Sequence, residues 1–244
     1  MNLRSFIPAP WRRTLKIALR SLKDRKTGYH HKMADISNRQ TGTYDHRIRL
    51  EQPVVKSAYF ENKVHNIQLG FSQINGLTLK PGEIFSFWHL IKQPTERNNY
   101  RLGRNIVANR LSADYGGGLC QLSSIIYHIS LISGLHIIER HNHSVDIYKE
   151  HERFTPLGAD ATVVYGHKDL RVQNLFSFPV CFSFTLADDT LTCNVSSPER
   201  IAQKQVIFSR EYHLGHVNVY TSIGEEPDLV LFGKASYGLP LNNE

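Results

Sequence analysis

The sequence predicts an α+β fold, and three observations carry that reading. Apolar residues recur at helical spacing in segments before residue 134. From Ile137 onward the spacing changes to the two-residue alternation of strands. Turn residues such as Asp188-Asp189 and Gly166-His167-Lys168 punctuate that second part at short intervals. Helices followed by a run of hairpin-connected strands form an α+β domain.

Taken in order, residues 12–23 read as a helix. Leu15, Ala18, Leu19 and Leu22 share one stripe, with Arg12, Arg13, Lys16, Arg20 and Lys23 elsewhere, and Pro8 and Pro10 stop anything regular before it. Residues 24–46 are polar and read mostly as loop. Val64, Ile67, Phe71 and Ile74 predict a second helix over 61–75. Leu77-Thr78-Leu79, a Lys80-Pro81-Gly82 turn and Glu83 to Phe87 read as strand, turn and strand. Residues 94–115 are polar and irregular. A helix follows from Cys120 to Ser133, capped by Gly134. Leu122, Ile125, Ile126, Ile129 and Ile132 make its buried face. Cys120 falls roughly opposite, in line with Ser124, Tyr127 and Leu131.

The strand region begins at 137–148, where Glu139, His141, His143, Val145 and Ile147 share a face. Strands at 160–166 and 169–176 flank the Gly166 turn, and 179–186 pairs with 190–196. Weaker strand patterns lie at 205–209, 216–221 and 229–232. The expected organisation is a basic arm over 1–50 with an amphipathic helix, then one α+β domain over 51–244, its core about 60–200.

Charge is unevenly spread. Residues 1–50 hold 12 Lys and Arg against 3 Asp and Glu, whereas the remainder holds 17 against 19. A basic body is the electrostatic sign of a nucleic-acid enzyme, and this body lacks it, so nucleic acid is excluded as a partner. No apolar run is long enough to span a bilayer, and basic residues interrupt the only candidate leader. Three cysteines without CxxC spacing give neither a disulfide framework nor a zinc finger. A two-residue turn at Asp188-Asp189 puts Cys181 opposite Ser196 and Cys193 opposite Phe184, out of register for a bridge. A reducing compartment fits, so the cytoplasm is the expected location, peripheral to the inner membrane face. The arm admits two readings. It is an interfacial helix on an anionic membrane surface, or a helix packed on the domain through Leu15, Leu19 and Leu22.

The chemistry centres on Gly116-Gly117-Gly118-Leu119-Cys120-Gln121. A glycine run permits a sharp turn and close approach. A cysteine at a helix start sits where backbone N–H groups and the helix dipole favour a thiolate. A nucleophile needs a base and the base an orienting group; His143, with His141 second, and Asp160 are the candidates. Cysteine on a helix start with the other two on later strands is an order shared with papain-like and transglutaminase-like enzymes, a fold-level analogy. Gly118, Gln121, Ser123, Arg140 and His141 are candidates for holding an oxyanion or substrate. A metal site built from the His141/His143 pair, Cys120 and a carboxylate is the competing reading; it lacks paired ligand spacing, and neither metal nor cofactor is expected. The glycine run lacks the phosphate-loop pattern.

These motifs resemble the VanW family. The resemblance runs from about Phe60 to Asn174. It rests on Glu61-Asn62-Lys63-Val64, on Lys80-Pro81-Gly82-Glu83-Ile84-Phe85-Ser86-Phe87-Trp88, on the Gly116–Ser123 stretch, on Glu139-Arg140-His141-Asn142-His143 and on Asp160-Ala161-Thr162-Val163. It implies that Gly118, Cys120 and Gln121 match the family's glycine–cysteine–glutamine motif. It also maps the family histidine onto His143 and the family aspartate onto Asp160. It implies a link to glycopeptide resistance and to the cell envelope, without a settled activity. Two functions stand. One is a cysteine-dependent hydrolase or transferase acting on an amide in cell-envelope peptides or their peptidoglycan precursors. The other is a non-enzymatic accessory or binding protein of the envelope.

Overall fold

The structure is a computed structural model that describes residues 9–39, 44–107, 110–146, 150, 153–225 and 227–239. Expectations for residues 1–8 and for Ile147 lie outside these. The fold is α+β with antiparallel sheets.

The first helix, α1 (Ala9–Lys26), is longer than expected. It takes Pro10 into its first turn, where a proline costs no intrahelical hydrogen bond. The polar stretch after it is not simply loop. It contains short helical turns at Tyr29–His31 and Ile36–Asn38, and then strand β1 (His46–Pro53). The division at residue 50 therefore falls inside a strand.

Helix α2 (Phe60–Ser72) matches the Val64–Ile67–Phe71 spacing. Strands β2 (Leu77–Leu79) and β3 (Ile84–Ser86) form as read, but not as a hairpin. Both are buried throughout, so each needs a partner on its own sheet. Short helix α3 (Phe87–Leu90) follows. The stretch read as irregular holds a hairpin of β4 (Leu102–Val107) and β5 (Arg110–Tyr115). Helix α4 (Leu119–Ile132) ends at Ser133 and Gly134, the latter with φ of 69°, the left-handed conformation for which glycine was expected there.

Strand β6 is only His136–Glu139, and β7 is Arg171–Gln173. The expected long strand over 137–148 and its pairing with 160–166 do not form. Residues 140–143 run irregularly beside 160–163, joined by Thr162 N–H donating to the His141 carbonyl at 2.7 Å. Strands β8 (Val180–Ala187) and β9 (Thr190–Ser197) form the expected hairpin, with Cys181 opposite Ser196 and Phe184 opposite Cys193. Both cysteines are free and buried. The weak C-terminal patterns become three long strands, β10 (Gln205–His213), β11 (His216–Glu225) and β12 (Asp228–Gly238).

The sheet orders are β1-β9-β8-β2, β3-β7-β6, β10-β11-β12 and the β4-β5 pair. The core lies where α2 and α4 meet the sheets; Ile67, Leu122, Ile125, Phe85 and Phe182 are fully buried in it. No helix among the described residues is long and apolar enough to cross a membrane.

Candidate active site

The site begins with the turn that starts α4. Gly118 caps the helix with φ of 105°, a conformation open chiefly to glycine. A Cβ there would stand 2.9 Å from the Lys63 side chain and 3.2 Å from that of Ile67. Asn66 of α2, buried, holds the glycine run by donating to the Gly117 carbonyl at 3.0 Å and to the Arg101 carbonyl at 2.9 Å. Gly118→Ala is expected to cost roughly 1–3 kcal/mol from left-handed strain, read as a lower urea midpoint. It is also expected to slow alkylation of Cys120 by displacing the helix start. A midpoint equal to that of the parent protein overturns this reading.

Helix α4 is buried on nearly every side: Ser124, Tyr127 and Leu131 are as enclosed as the isoleucines. Lying opposite the isoleucines, in line with Ser124, Tyr127 and Leu131, therefore does not by itself expose Cys120. Cys120 reaches a cleft because it sits in the first turn, where the helix emerges from its packing. It is partly buried and lines that cleft with His143.

Two serines sew the segment carrying Asp160 onto this turn. Ser123 Oγ donates to the Ala161 carbonyl at 2.6 Å. Ser124 Oγ donates to the Cys120 carbonyl at 2.6 Å and accepts from the Ala161 N–H at 2.9 Å. Ser123, a candidate for contacting substrate, is fully buried and spent on this seam. The seam sets the Thr162 hydroxyl 3.7 Å from the Cys120 sulfur, and the Val163 carbonyl 3.9 Å from it.

Asp160 is a buried hub. Its Oδ2 accepts from the His143 backbone N–H at 2.8 Å and pairs with His143 Nδ1 at 2.6 Å. Its Oδ1 accepts from Arg140 at 2.9 Å and from the Tyr237 hydroxyl of β12. Arg140 also donates to the carbonyls of Gly158 and Asp160 and lies over the Tyr127 ring, 4.9 Å from its centroid. Arg140, expected to meet substrate, instead stands behind the carboxylate as its counter-ion. With Nδ1 on Asp160, Nε2 is the ring nitrogen left for the thiol.

The electrostatics are reciprocal. Burial pushes the Cys120 thiol pKa up, but the hydrogen bond and charge of His143, helped by Val163 and Thr162, bring it below the usual thiol value. Burial pushes His143 down, but Asp160, with Cys120, raises it well above an ordinary histidine. Burial opposes ionisation of Asp160, and His143, Arg140 and Tyr237 together hold its pKa below the usual carboxylate range. The arrangement favours a thiolate–imidazolium pair. Burial alone raises Cys193, and it outweighs the Thr78 and Ser196 hydrogen bonds in raising Cys181.

His141 belongs elsewhere. Its Nε2 pairs with Glu139 at 2.9 Å, and Glu139 receives both terminal nitrogens of Arg20. Gln121 lines the cleft, but its amide nitrogen donates to the Pro53 carbonyl at 2.9 Å. Among the described residues, no group of three or more His, Cys, Asp or Glu side chains is placed to hold a metal ion.

The cleft has a volume of about 870 Å³. Among the described residues, Arg13, Lys56, Lys63 and Lys168 line it with one acid, Asp114, and Lys56 pairs with Asp189 at 3.2 Å. Trp88 and Tyr165 form part of its wall edge to face, 5.4 Å between centroids, and Trp88 Nε1 donates to the Lys168 carbonyl at 2.8 Å.

A profile of the family described as VanW like protein matches residues 62–196, more than half of the chain. The chain belongs to the VanW-like family. The match contains Cys120, His143 and Asp160; α1, all of β1 and the whole β10-β11-β12 sheet, with Tyr237, lie outside it. The chain is 39% identical over 116 residues to the vancomycin B-type resistance protein VanW of Enterococcus faecalis, covering 48% of this chain and 42% of that one. It is 32% identical over 148 residues to the uncharacterized protein YoaR of Bacillus subtilis, covering 61% of this chain and 45% of that one. The chain thus spans less than half the length of both curated relatives. No solved structure matches it.

Reading by residue type missed Tyr237, Thr162, Trp88 and Asn66. Tyr237 carried no usable signal, since it lies beyond the 229–232 strand pattern, between Ser236 and Gly238.

Proposed function

We propose that this VanW-like protein is a cysteine-dependent acyl-transfer enzyme acting on an amide in a cell-envelope peptide or its peptidoglycan precursor. The observation that carries the reading is Cys120 at a glycine-freed helix start, lining one cleft with an imidazole whose Nδ1 is held by a buried carboxylate. Cys120 is the nucleophile, His143 the acid and base, and Asp160 the group that orients and charges the imidazole.

The Cys120 thiolate attacks the amide carbonyl carbon, and a C–S bond forms. The oxyanion is held by the Cys120 backbone N–H, which no helical carbonyl reaches in the first turn, and by N–H groups near Gly118. The C–N bond then breaks, and the leaving amine takes the proton of the His143 imidazolium. Water, deprotonated by the now neutral imidazole, resolves the thioester to a carboxylate; an amine acceptor in its place makes the reaction a transfer. Arg13 and Lys168 on the cleft wall favour a peptide bearing carboxylates.

The test is brief iodoacetamide treatment near neutral pH with peptide mass spectrometry, followed by incubation with carboxylate-rich envelope peptides and intact-mass detection of a thioester. Cys120 is expected to label at least tenfold faster than Cys181 and Cys193, because a thiolate is the reactive form and burial keeps the other two protonated. Equal labelling of all three cysteines, or none on Cys120, overturns the enzyme reading in favour of a binding role.

A further inference from the structure

Helix α1 is fastened to the rest of the protein by one face. Arg20 grips Glu139 through both terminal nitrogens, at 2.8 and 2.7 Å, and donates to the His167 carbonyl at 3.0 Å. Asp24 accepts from Arg171 at 2.6 and 2.8 Å. Ile17 and Arg13 lie against Gly166, where a Cβ would stand 3.0 and 3.1 Å from them. At about 100° per residue, these four positions fall within about 40° of the side opposite Leu15.

The other side carries the apolar stripe, and nothing among the described residues covers it. Trp11 is 72% exposed, Leu15 49%, Leu19 56% and Leu22 58%. These four lie within about 40° of one another's mean direction. The alternative in which the leucines pack on the domain is therefore wrong. The ion pairs hold the stripe outward, because turning it inward would strip Arg20 and Asp24 from partly buried partners.

The border of the stripe has one sign. Lys16 and Lys23 flank it on one side, Arg25 on the other, and Lys26 continues it; all are exposed. The only acid in α1 is Asp24, engaged by Arg171. An exposed tryptophan and leucine stripe with cationic borders matches a lipid surface with anionic headgroups.

We propose that α1 is an interfacial helix that seats the protein on an anionic lipid surface, with Trp11, Leu15, Leu19 and Leu22 among the headgroups and Lys16, Lys23 and Arg25 on the phosphates. Arg13, on the docked side of the same helix, lines the cleft, so the helix links the lipid surface to the wall of the candidate site. The membrane contact does not depend on the proposed chemistry.

The test is co-sedimentation of the full chain with vesicles of equal phosphatidylglycerol and phosphatidylcholine, and with phosphatidylcholine alone, at low and high salt. Binding is expected to the anionic vesicles, to weaken with salt, and to fall at least about tenfold on the neutral ones. Replacing Leu15, Leu19 and Leu22 together by Ser is expected to remove binding by at least about tenfold without lowering the melting temperature, since exposed side chains leave no cavity. Lys16→Gln and Lys23→Gln are each expected to weaken binding roughly fivefold. Absence of binding to anionic vesicles overturns the proposal, as does binding unchanged by the serine variant. Self-association seen by analytical ultracentrifugation, abolished by the serine variant and without vesicle binding, assigns the stripe to a second copy and overturns it equally.

Discussion

His143→Ala is expected to slow alkylation of Cys120 at neutral pH by about ten- to a hundredfold while leaving the protein folded. The sign follows from the contributions to the thiol. His143 is the main influence that lowers its pKa; without it, burial dominates and moves the thiol above its ordinary value. Below its pKa, each unit of upward shift removes about a factor of ten in thiolate. In the parent protein, labelling is therefore expected to rise as pH climbs through the lowered thiol pKa. It then stays level until the raised His143 pKa is passed and the imidazolium is lost. In the variant the rise is expected only in the alkaline range, as a single step. The imidazole is partly exposed toward the cleft and its backbone N–H still binds Asp160, so loss of the ring removes little core packing. An unchanged pH profile overturns the assignment of His143 as partner of the thiol. Iodoacetamide reads the thiolate directly, without any assumption about the substrate.

Much of this site was legible in the sequence, because its chemistry is written in short segments. The glycine run, the apolar spacing of α4 and Gly134 locate the helix start to within one residue. Asp188-Asp189 sets the β8–β9 register, because a two-residue turn leaves no freedom of pairing. What was not legible depends on distant contacts. Arg140 follows Glu139 and precedes His141, so by position it looks like a substrate ligand. Only the fold shows that it turns away from the cleft to meet Asp160 and Tyr237, 97 residues later. Strands β2 and β3 resemble a hairpin because Lys80-Pro81-Gly82 is a good turn. Burial of both sends β2 to β8 and β3 to β7 instead. The leucine stripe of α1 has the pattern of a packed helix. Its direction is decided by Arg20 and Asp24, whose partners Glu139 and Arg171 lie more than a hundred residues away.

Asp160→Ala is expected to destabilise the protein by about 3–5 kcal/mol, the usual cost of leaving one member of a buried charge pair alone. For a chain of this size that is a fall of roughly 6–20 °C in melting temperature. The side chains of Asp160 and Arg140 are 9% and 13% exposed, so the stranded guanidinium has little access to water. The carboxylate also ties three segments together: Arg140 with His143, the strand β12 through Tyr237, and its own loop, which Ser123 and Ser124 sew to α4. Its pKa is depressed in the folded protein. The stability it contributes is therefore fully present above the unfolded-state carboxylate pKa and is lost as pH falls through the folded value. Asp160→Asn keeps the shape and is expected to cost less, leaving a folded protein in which the imidazole has lost its charged partner. Its Cys120 labelling near neutral pH is expected to fall in the same direction as in His143→Ala, but by less. Tyr237→Phe removes one hydrogen bond to the same carboxylate and is expected to cost about 1.5–3 kcal/mol while retaining rapid labelling. These three variants separate the two duties of Asp160. A melting temperature for Asp160→Ala within 2 °C of the parent would show that Arg140 finds water or another acceptor, and would remove the hub. Parent-like labelling in a folded Asp160→Asn would show that the carboxylate braces the fold and leaves the thiol to His143 alone.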